Sequence, residues 1–419
     1  MIRCPAHSLA SLPASLMLLA VCLPAATGED RPVLKILDTV DVAPVWSGTP
    51  ARFCLYTAAP RQYAAFFDAD ARMTIAARTL DSIQWRFVRV DQENKWDSHN
   101  YITMAIDRDG CLHIAGNMHC DPLVYFRTRE PWDITTIERK HFMIPRPGQP
   151  PDAPGDREER CTYPQFLHDG QGRLIFTYRF GKSGDGVNMY NVYDPDAKVW
   201  TRLIDEPLLS GDGERNAYPA GPVRGPDDRF HMAWVWRDTP DCATNHTVSY
   251  ARSADLVHWE NAAGEALPLP IRLGAPVVVD PVQPGGGAIN GNIQPGFDLS
   301  GRPVVSYIKY DEDGHTQAYN ARWEGGAWRI YKTSDWQYRW AFDGGGSIDF
   351  DVRVGPVSAV RGGGLQQSYS HKVYGSGVWR LAEEDFRIVD AMPPGPDLPA
   401  ELKNRVGGGI DPPVLPHHR

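Results

Sequence analysis

Two nine-residue segments far apart in the chain align without a gap: Ala77-Arg78-Thr79-Leu80-Asp81-Ser82-Ile83-Gln84-Trp85 and Ala251-Arg252-Ser253-Ala254-Asp255-Leu256-Val257-His258-Trp259. Looser versions end at Trp132, Trp200, Trp328 and Trp379, so that the six tryptophans follow one another at 47, 68, 59, 69 and 51 residues. A chain repeating on this scale stacks supersecondary units, each of which needs its neighbours to cover an apolar face. Within the units a polar turn precedes an alternating or apolar run. Asp107-Arg108-Asp109-Gly110 precedes Cys111 to Ala115, and Asp169-Gly170-Gln171-Gly172 precedes Leu174 to Tyr178. Pro226-Asp227-Asp228 precedes Phe230 to Trp236, and Asp298-Leu299-Ser300-Gly301 precedes Val304 to Tyr310. Each reads as a hairpin turn followed by a strand. Units of about four short strands, repeated at this spacing, predict an all-β fold of the β-propeller type. The expectation is seven blades, the strand around Val40 to Val45 closing the last one with C-terminal strands, and six is the alternative. A pair of β-sandwiches or a β-helix would be the other ways to place so many short strands.

Composition supports this assignment and narrows the function. The chain has 39 glycines, 36 prolines, 13 tryptophans and 17 tyrosines, which favours turns and aromatic-packed strands over helices. A net charge of −9 argues against a nucleic-acid partner. It leaves room for an acidic ligand, since a local Arg/His cluster can oppose the global sign. Arg3, the apolar run Leu16 to Leu23 and the small residues Ala26-Thr27-Gly28 read as a secretory signal over residues 1–28. A single propeller domain over 29–391 and a Pro/Gly-rich tail over 392–419 would follow, in a monomer that is secreted or periplasmic. No other stretch approaches membrane-spanning length. Cys54, Cys111, Cys120, Cys161 and Cys242 remain after the signal. Their odd number forbids complete pairing within the chain, and an oxidising compartment permits one or two disulfides.

Four residues carry the chemistry. His99 lies in Asp97-Ser98-His99-Asn100, His119 in Gly116-Asn117-Met118-His119, Tyr163 in Cys161-Thr162-Tyr163-Pro164, and Arg179 opens the run Arg179 to Gly186. Each falls at the end or start of a short apolar run, and in a sheet protein such positions converge at one mouth. Together they suit β-elimination from a 4-linked uronic acid. That reaction needs the carboxylate neutralised, the C5 proton accepted and the departing C4 oxygen protonated. Arginine matches a carboxylate with its fork. Neutral histidine is a base near working pH. Tyrosine serves as acid, and as base too if a cation such as Arg179 lowers its pKa. Taken singly, each of these residues reads as well as a structural one: a hydrogen-bonded histidine, a strand-end aromatic before Pro164, or an arginine bracing Asp185.

As a set, these motifs resemble the BNR-repeat-like propeller family that contains polysaccharide lyases, among them ulvan lyases and rhamnose–glucuronate lyases. The resemblance runs from about Val40 to Ile388. It continues through Trp234-Val235-Trp236-Arg237-Asp238-Thr239, Thr244-Asn245-His246, Lys309-Tyr310-Asp311 and Gln317 to Arg322. It implies a secreted lyase acting on an acidic, glucuronate-containing glycan by His/Tyr acid–base catalysis. His99, His119, Tyr163 and Arg179 would be catalytic, with Tyr163 as proton donor and one of the two histidines as base. Arg237, Tyr218, Asn100 and Lys309 would bind substrate. No cofactor is required for the chemistry. A structural Zn or Ca ion is expected at Cys242, His246 and His258, Cys242 and His246 having C-x3-H spacing. Asn245-His246-Thr247 also matches a glycosylation sequon. Two rival functions share the scaffold. A sialidase-like glycoside hydrolase would need two facing carboxylates, drawn from Asp97, Asp185, Asp212 and Glu214. A non-catalytic glycan-binding propeller would need only exposed aromatics.

Overall fold

A computed structural model of the chain describes residues 38–46, 53–95, 97–144, 158–360 and 362–393. The signal segment 1–28, and the C-terminal tail beyond residue 393, lie outside the described residues. Twenty-seven strands and two three-residue 3-10 turns form six antiparallel sheets that follow one another in sequence order. The first three have as their main strands Cys54–Ala58 to Arg86–Glu93, Ile102–Ile106 to Ile137–Lys140, and Cys161–His168 to Val199–Arg202. The next three run from Asn216–Arg224 to Trp259–Glu260, from Ile293–Phe297 to Ala327–Lys332, and from Val352–Val354 to Ile388–Met392.

The repeat explains this succession. In the fourth sheet Ala251 to Ser253 end one strand and Trp259 starts the next. Between them Ser253 Oγ accepts the Leu256 N–H at 2.8 Å, while Asp255 Oδ1 accepts those of Val257 and His258 at 2.9 and 2.8 Å. The segment is thus a self-capped turn into an outer strand. The turns before the second strands work similarly. The Asp107 carboxylate accepts the backbone N–H of Asp109 and Cys111, that of Asp169 accepts Gln171 and Arg173, and that of Asp298 accepts Ser300 and Arg302.

Six sheets, rather than the favoured seven, form among the described residues. The segment expected to close a further blade makes a single bridge, Val45 to Asp68, beside the first sheet. Val42, Ala43 and Trp46 pack on the first sheet and the Trp46 N–H donates to the Phe67 carbonyl, while Val45 is more than half exposed.

The core lies between successive sheets. Ile175 and Tyr190 of the third sheet pack with Trp234, Trp236 and Trp259 of the fourth. Val235 and Tyr250 of the fourth pack with Val305 and Tyr307 of the fifth. A strand covered on both faces needs no polar alternation, and Phe230–Arg237 is buried along its whole length. Fully burying each large side chain of this kind contributes roughly 1.5–3 kcal/mol. The five cysteines among the described residues are free, so no disulfide supplements the packing there.

Two buried histidines knot the sheets. His113 Nε2 donates to Asp107 at 3.1 Å and its Nδ1 accepts the Tyr125 hydroxyl at 2.8 Å. His231 does the same with Asp227 at 2.8 Å and Tyr250 at 2.5 Å. Burial lowers the pKa of both rings, although the aspartates oppose it. The folded state therefore takes up protons less readily than the unfolded chain does. The unfolding midpoint should hold above about pH 6.5 and fall as the pH drops below it. Scanning calorimetry between about pH 8 and pH 5 measures this, and a flat profile would exclude neutral histidines.

Candidate active site

In sequence His119 falls between strands of the second sheet, but the chain there crosses to the third. His119–Asp121 forms a fifth strand paired with Cys161–His168, Thr162 lying opposite His119. Thr162 also lies opposite Arg179 on its other side. Three residues along this path take left-handed backbone angles that side chains rarely adopt: Asn117 (φ 60°), Cys120 (φ 58°) and Tyr163 (φ 59°). Such strain, costing on the order of 1–3 kcal/mol each, clusters at functional sites. At Tyr163 it coincides with a register shift between Thr162 and Gln165.

Asp97 organises the imidazoles. Its Oδ1 accepts His99 Nδ1 at 2.5 Å and the His99 backbone N–H at 2.8 Å, while its Oδ2 accepts His119 Nδ1 at 2.6 Å. The rings stack with centroids 3.9 Å apart and 17° between planes. Burial works against the Asp97 carboxylate, yet the hydrogen bonds from His119 and His99 hold it far below the usual carboxylate range. An ionised Asp97 requires a proton on each Nδ1, which leaves each Nε2 free to exchange a proton with a ligand.

His99 also faces Tyr163, centroid to centroid at 5.4 Å, and Tyr163 meets the Tyr218 ring edge-on at 6.2 Å. Arg179 lies behind both phenols, its Cζ 5.0 Å from the Tyr163 ring centroid and 5.9 Å from that of Tyr218. Its Nη2 donates to Thr162 Oγ1 at 2.9 Å and to Cys120 Sγ at 3.3 Å, and its Nη1 to the Tyr218 hydroxyl at 3.4 Å. Ser183 shares a further hydrogen bond with that hydroxyl. None of these partners is a carboxylate. Arg179 is 2% exposed, its Nε has no hydrogen-bond partner, and no carboxylate pairs with it among the described residues. Gly186 makes room for this arrangement, since a Cβ there would sit 2.6 Å from Asn216 Oδ1 and 3.0 Å from Arg179 Cδ.

Arg179 acts on Tyr163 in the expected direction, but burial outweighs it. Burial pushes the phenol up to about 12, and Arg179 opposes that shift without overcoming it. Tyr163 therefore holds its proton near neutral pH, a state that suits a proton donor rather than a resting base.

The structure thus gathers His99, His119, Tyr163, Arg179 and Tyr218. Arg237 is a neighbour with a different task. Its Cζ lies 5.4 Å from the Tyr218 ring, but its Nε donates to the Thr239 carbonyl and its Nη2 to those of Pro240 and Gly344. It braces a loop. Asn100 is buried behind the Asp97 turn, and its side-chain amide has no partner. Lys309 is committed to Asp280 at 2.6 Å and stands over Tyr319, with no contact to the imidazole cluster.

The expected metal trio does not assemble. His258 is largely exposed and bound to Asp255, His246 bonds Asp238 and Thr247, and Cys242 is buried in a 3-10 turn. Among the described residues, three potential ligands converge at Asp97–His99–His119 and at Asp311–Asp313–His315. In the first group a metal would have to displace hydrogen bonds that already satisfy both Nδ1 atoms. Asn245 is fully buried and donates to the Cys242 carbonyl at 2.7 Å, so the sequon offers no acceptor in the folded state.

Sequence reasoning weighed Asp97 only as a hydrolase carboxylate and missed its role as the common acceptor. The signal was there in the Asp97-x-His99 spacing, where an Asp side chain turns back on the residue two ahead. Cys120, Thr162 and Ser183 carried no signal: the crossing strand brings Cys120 to Arg179, strand pairing in the third sheet sets Thr162 opposite it, and Ser183 reaches Tyr218 of the next sheet.

The six sequential sheets and their repeats define a β-propeller. A family model described as BNR repeat-containing family member matches residues 61–336, and the chain belongs to that family. Among solved structures, an ulvan lyase of polysaccharide lyase family PL25 is similar with TM-score 0.57 and 16% identity, over 84% of this chain and 86% of that one. The polysaccharide lyase Uly1 gives TM-score 0.58 and 14% identity over 87% and 86%. The PL25 enzyme bound to -[GlcA(1-4)Rha3S]- gives 0.55 and 15% over 84% and 86%. At these identities the likeness is one of fold. No curated protein matches the chain.

Proposed function

We propose that the protein is a polysaccharide lyase that cleaves a 4-linked, glucuronate-containing glycan by β-elimination. One observation carries this: a buried arginine without an anionic partner backs a protonated tyrosine, beside two imidazoles aimed by one carboxylate. An unpaired buried cation is costly unless an anion forms or arrives next to it. The fold shared with ulvan lyases supports the same activity.

The steps close without a cofactor. His99 Nε2 accepts the C5 proton while the C5–H electrons form the C4=C5 double bond. The C4–O bond breaks toward oxygen, which takes the Tyr163 proton. Arg179 stabilises the phenolate left behind. Its place in the interior suits that task better than gripping the uronate carboxylate, as residue type alone had suggested. His119, the more exposed ring, takes the carboxylate as an imidazolium balanced by Asp97. Return of the proton from His99 to Tyr163 restores the site.

A hydrolase fits less well. Both Asp97 oxygens are occupied by the imidazoles, Asp212 is paired with Arg272, and Glu214 with Arg215. The test is ultraviolet absorbance of unsaturated uronate ends on incubation with ulvan, gum arabic and related polymers, with and without chelator. Absorbance should rise in both conditions. Tyr163→Phe, which removes only the hydroxyl, should lower turnover by about 10²–10⁴-fold with the fold unchanged. Products lacking the double bond would identify a hydrolase, and saturable binding without turnover a lectin. Loss of activity with chelator would restore the metal.

A further inference from the structure

Between the fifth and sixth sheets the chain runs Phe342-Asp343-Gly344-Gly345-Gly346-Ser347-Ile348-Asp349-Phe350. Its two stems are anchored, since Phe342 and Phe350 both pack on Trp340 with centroids at 4.7 and 5.2 Å. Its middle, Gly344 to Ser347, is exposed. Hydrogen bonds tie that middle down at both ends. Gly344 donates its N–H to Asp241 Oδ1 at 2.8 Å, and its carbonyl accepts Cys242 N–H at 2.7 Å and Arg237 Nη2 at 3.4 Å. Three residues on, Ser347 Oγ meets Ser98 Oγ at 2.5 Å.

These attachment points flank the proposed active site. Ser98 lies between Asp97 and His99, on the loop that carries the imidazole pair. Arg237 stands over Tyr218, which touches both Tyr163 and Arg179. The strap therefore joins the wall bearing the imidazoles to the wall beside the phenols. Three Cα steps reach at most about 11 Å, so the two walls are held close. A groove meant to grip the interior of a polymer must be open at both ends. Here backbone runs between the two walls, tied to Ser98 on one and to Arg237 and Asp241 on the other.

We infer that the Gly344–Ser347 strap makes the site act on chain ends: the glycan enters from the open side, its terminus stops against the strap, and short fragments leave one after another. The inference rests on the lyase assignment and adds the mode of attack. Arg237, committed to the strap's carbonyl, is the residue that positions it.

Product size against time decides the matter. With a polymer that yields absorbance, the unmodified protein should release short unsaturated fragments from the earliest times, while viscosity and polymer mass fall little. Deleting Gly344, Gly345 and Gly346 should reverse this, with viscosity dropping several-fold further at equal absorbance. Ser347→Ala, which breaks only the tie to Ser98, should shift the product sizes in the same direction with less disturbance. Intermediate-length products from the start in the unmodified protein would overturn the chain-end inference and leave the lyase assignment intact. Short products retained in both variants would clear the strap of responsibility. Absence of unsaturated ends on every glycan, from a folded protein, would remove the lyase assignment and this inference with it.

Discussion

Arg179→Met is expected to lower turnover by about 10²–10³-fold while changing KM little, the magnitude usual for loss of one preorganised electrostatic group. Methionine approximates the length of the aliphatic stem and discards the charge. Because Arg179 sits behind Tyr163 and Tyr218 and is 2% exposed, it meets charge as it develops on the phenol rather than charge the substrate brings. Only the transition state should lose by its removal, which places the effect in kcat. Burial already pushes the Tyr163 phenol up to about 12, and removing the cation that opposes this makes the proton still harder to release. A predominant rise in KM would instead mean that Arg179 binds the uronate carboxylate in the ground state. The fold should survive, since the arginine's partners are a threonine, a thiol and a phenol, and no buried carboxylate is left unpaired. Thermal unfolding serves as the control.

The fold was legible because its physics is local. The turn closed by Ser253 and Asp255 and the capped turn at Asp298 use side chains within a few residues of the backbone they satisfy, so the repeat survives in sequence. Clustering of the histidines, Tyr163 and Arg179 was legible too, since strand ends at one rim converge whatever joins them. Roles were harder to read. The depth of Arg179 could not be read, because residue type shows chemistry but not burial. Arg237 looked like a substrate contact because the carbonyl at Gly344 that it satisfies lies 107 residues away. Cys242, His246 and His258 looked like ligands by spacing, but His258 points outward from its turn to Asp255. The part played by the segment at Val45, which bridges to Asp68, could not be read because a pattern does not say which partner strand is within reach.

Asp97→Asn should be nearly as damaging as loss of Tyr163, at roughly 10²–10⁴-fold in kcat/KM, although it changes a single atom and leaves the volume alone. The carboxylate accepts from both rings, one through each oxygen. An asparagine offers one carbonyl oxygen and one NH₂. Whichever way the amide turns, one ring must then present an Nδ1 lone pair to the NH₂. In its neutral form that ring carries its proton on Nε2 and no longer accepts one there. If the affected ring is His99, proton abstraction fails. If it is His119, the imidazolium loses its counter-charge and the uronate carboxylate is met by a neutral ring. The two cases separate in steady-state kinetics: the first lowers kcat, and the second mainly raises KM. Imidazole nitrogen chemical shifts should show the tautomer change directly in one of the two rings. An Asp97→Asn protein with unchanged rate and unchanged tautomers would mean that the rings are held by stacking at 3.9 Å alone, and the carboxylate would have no part in the chemistry.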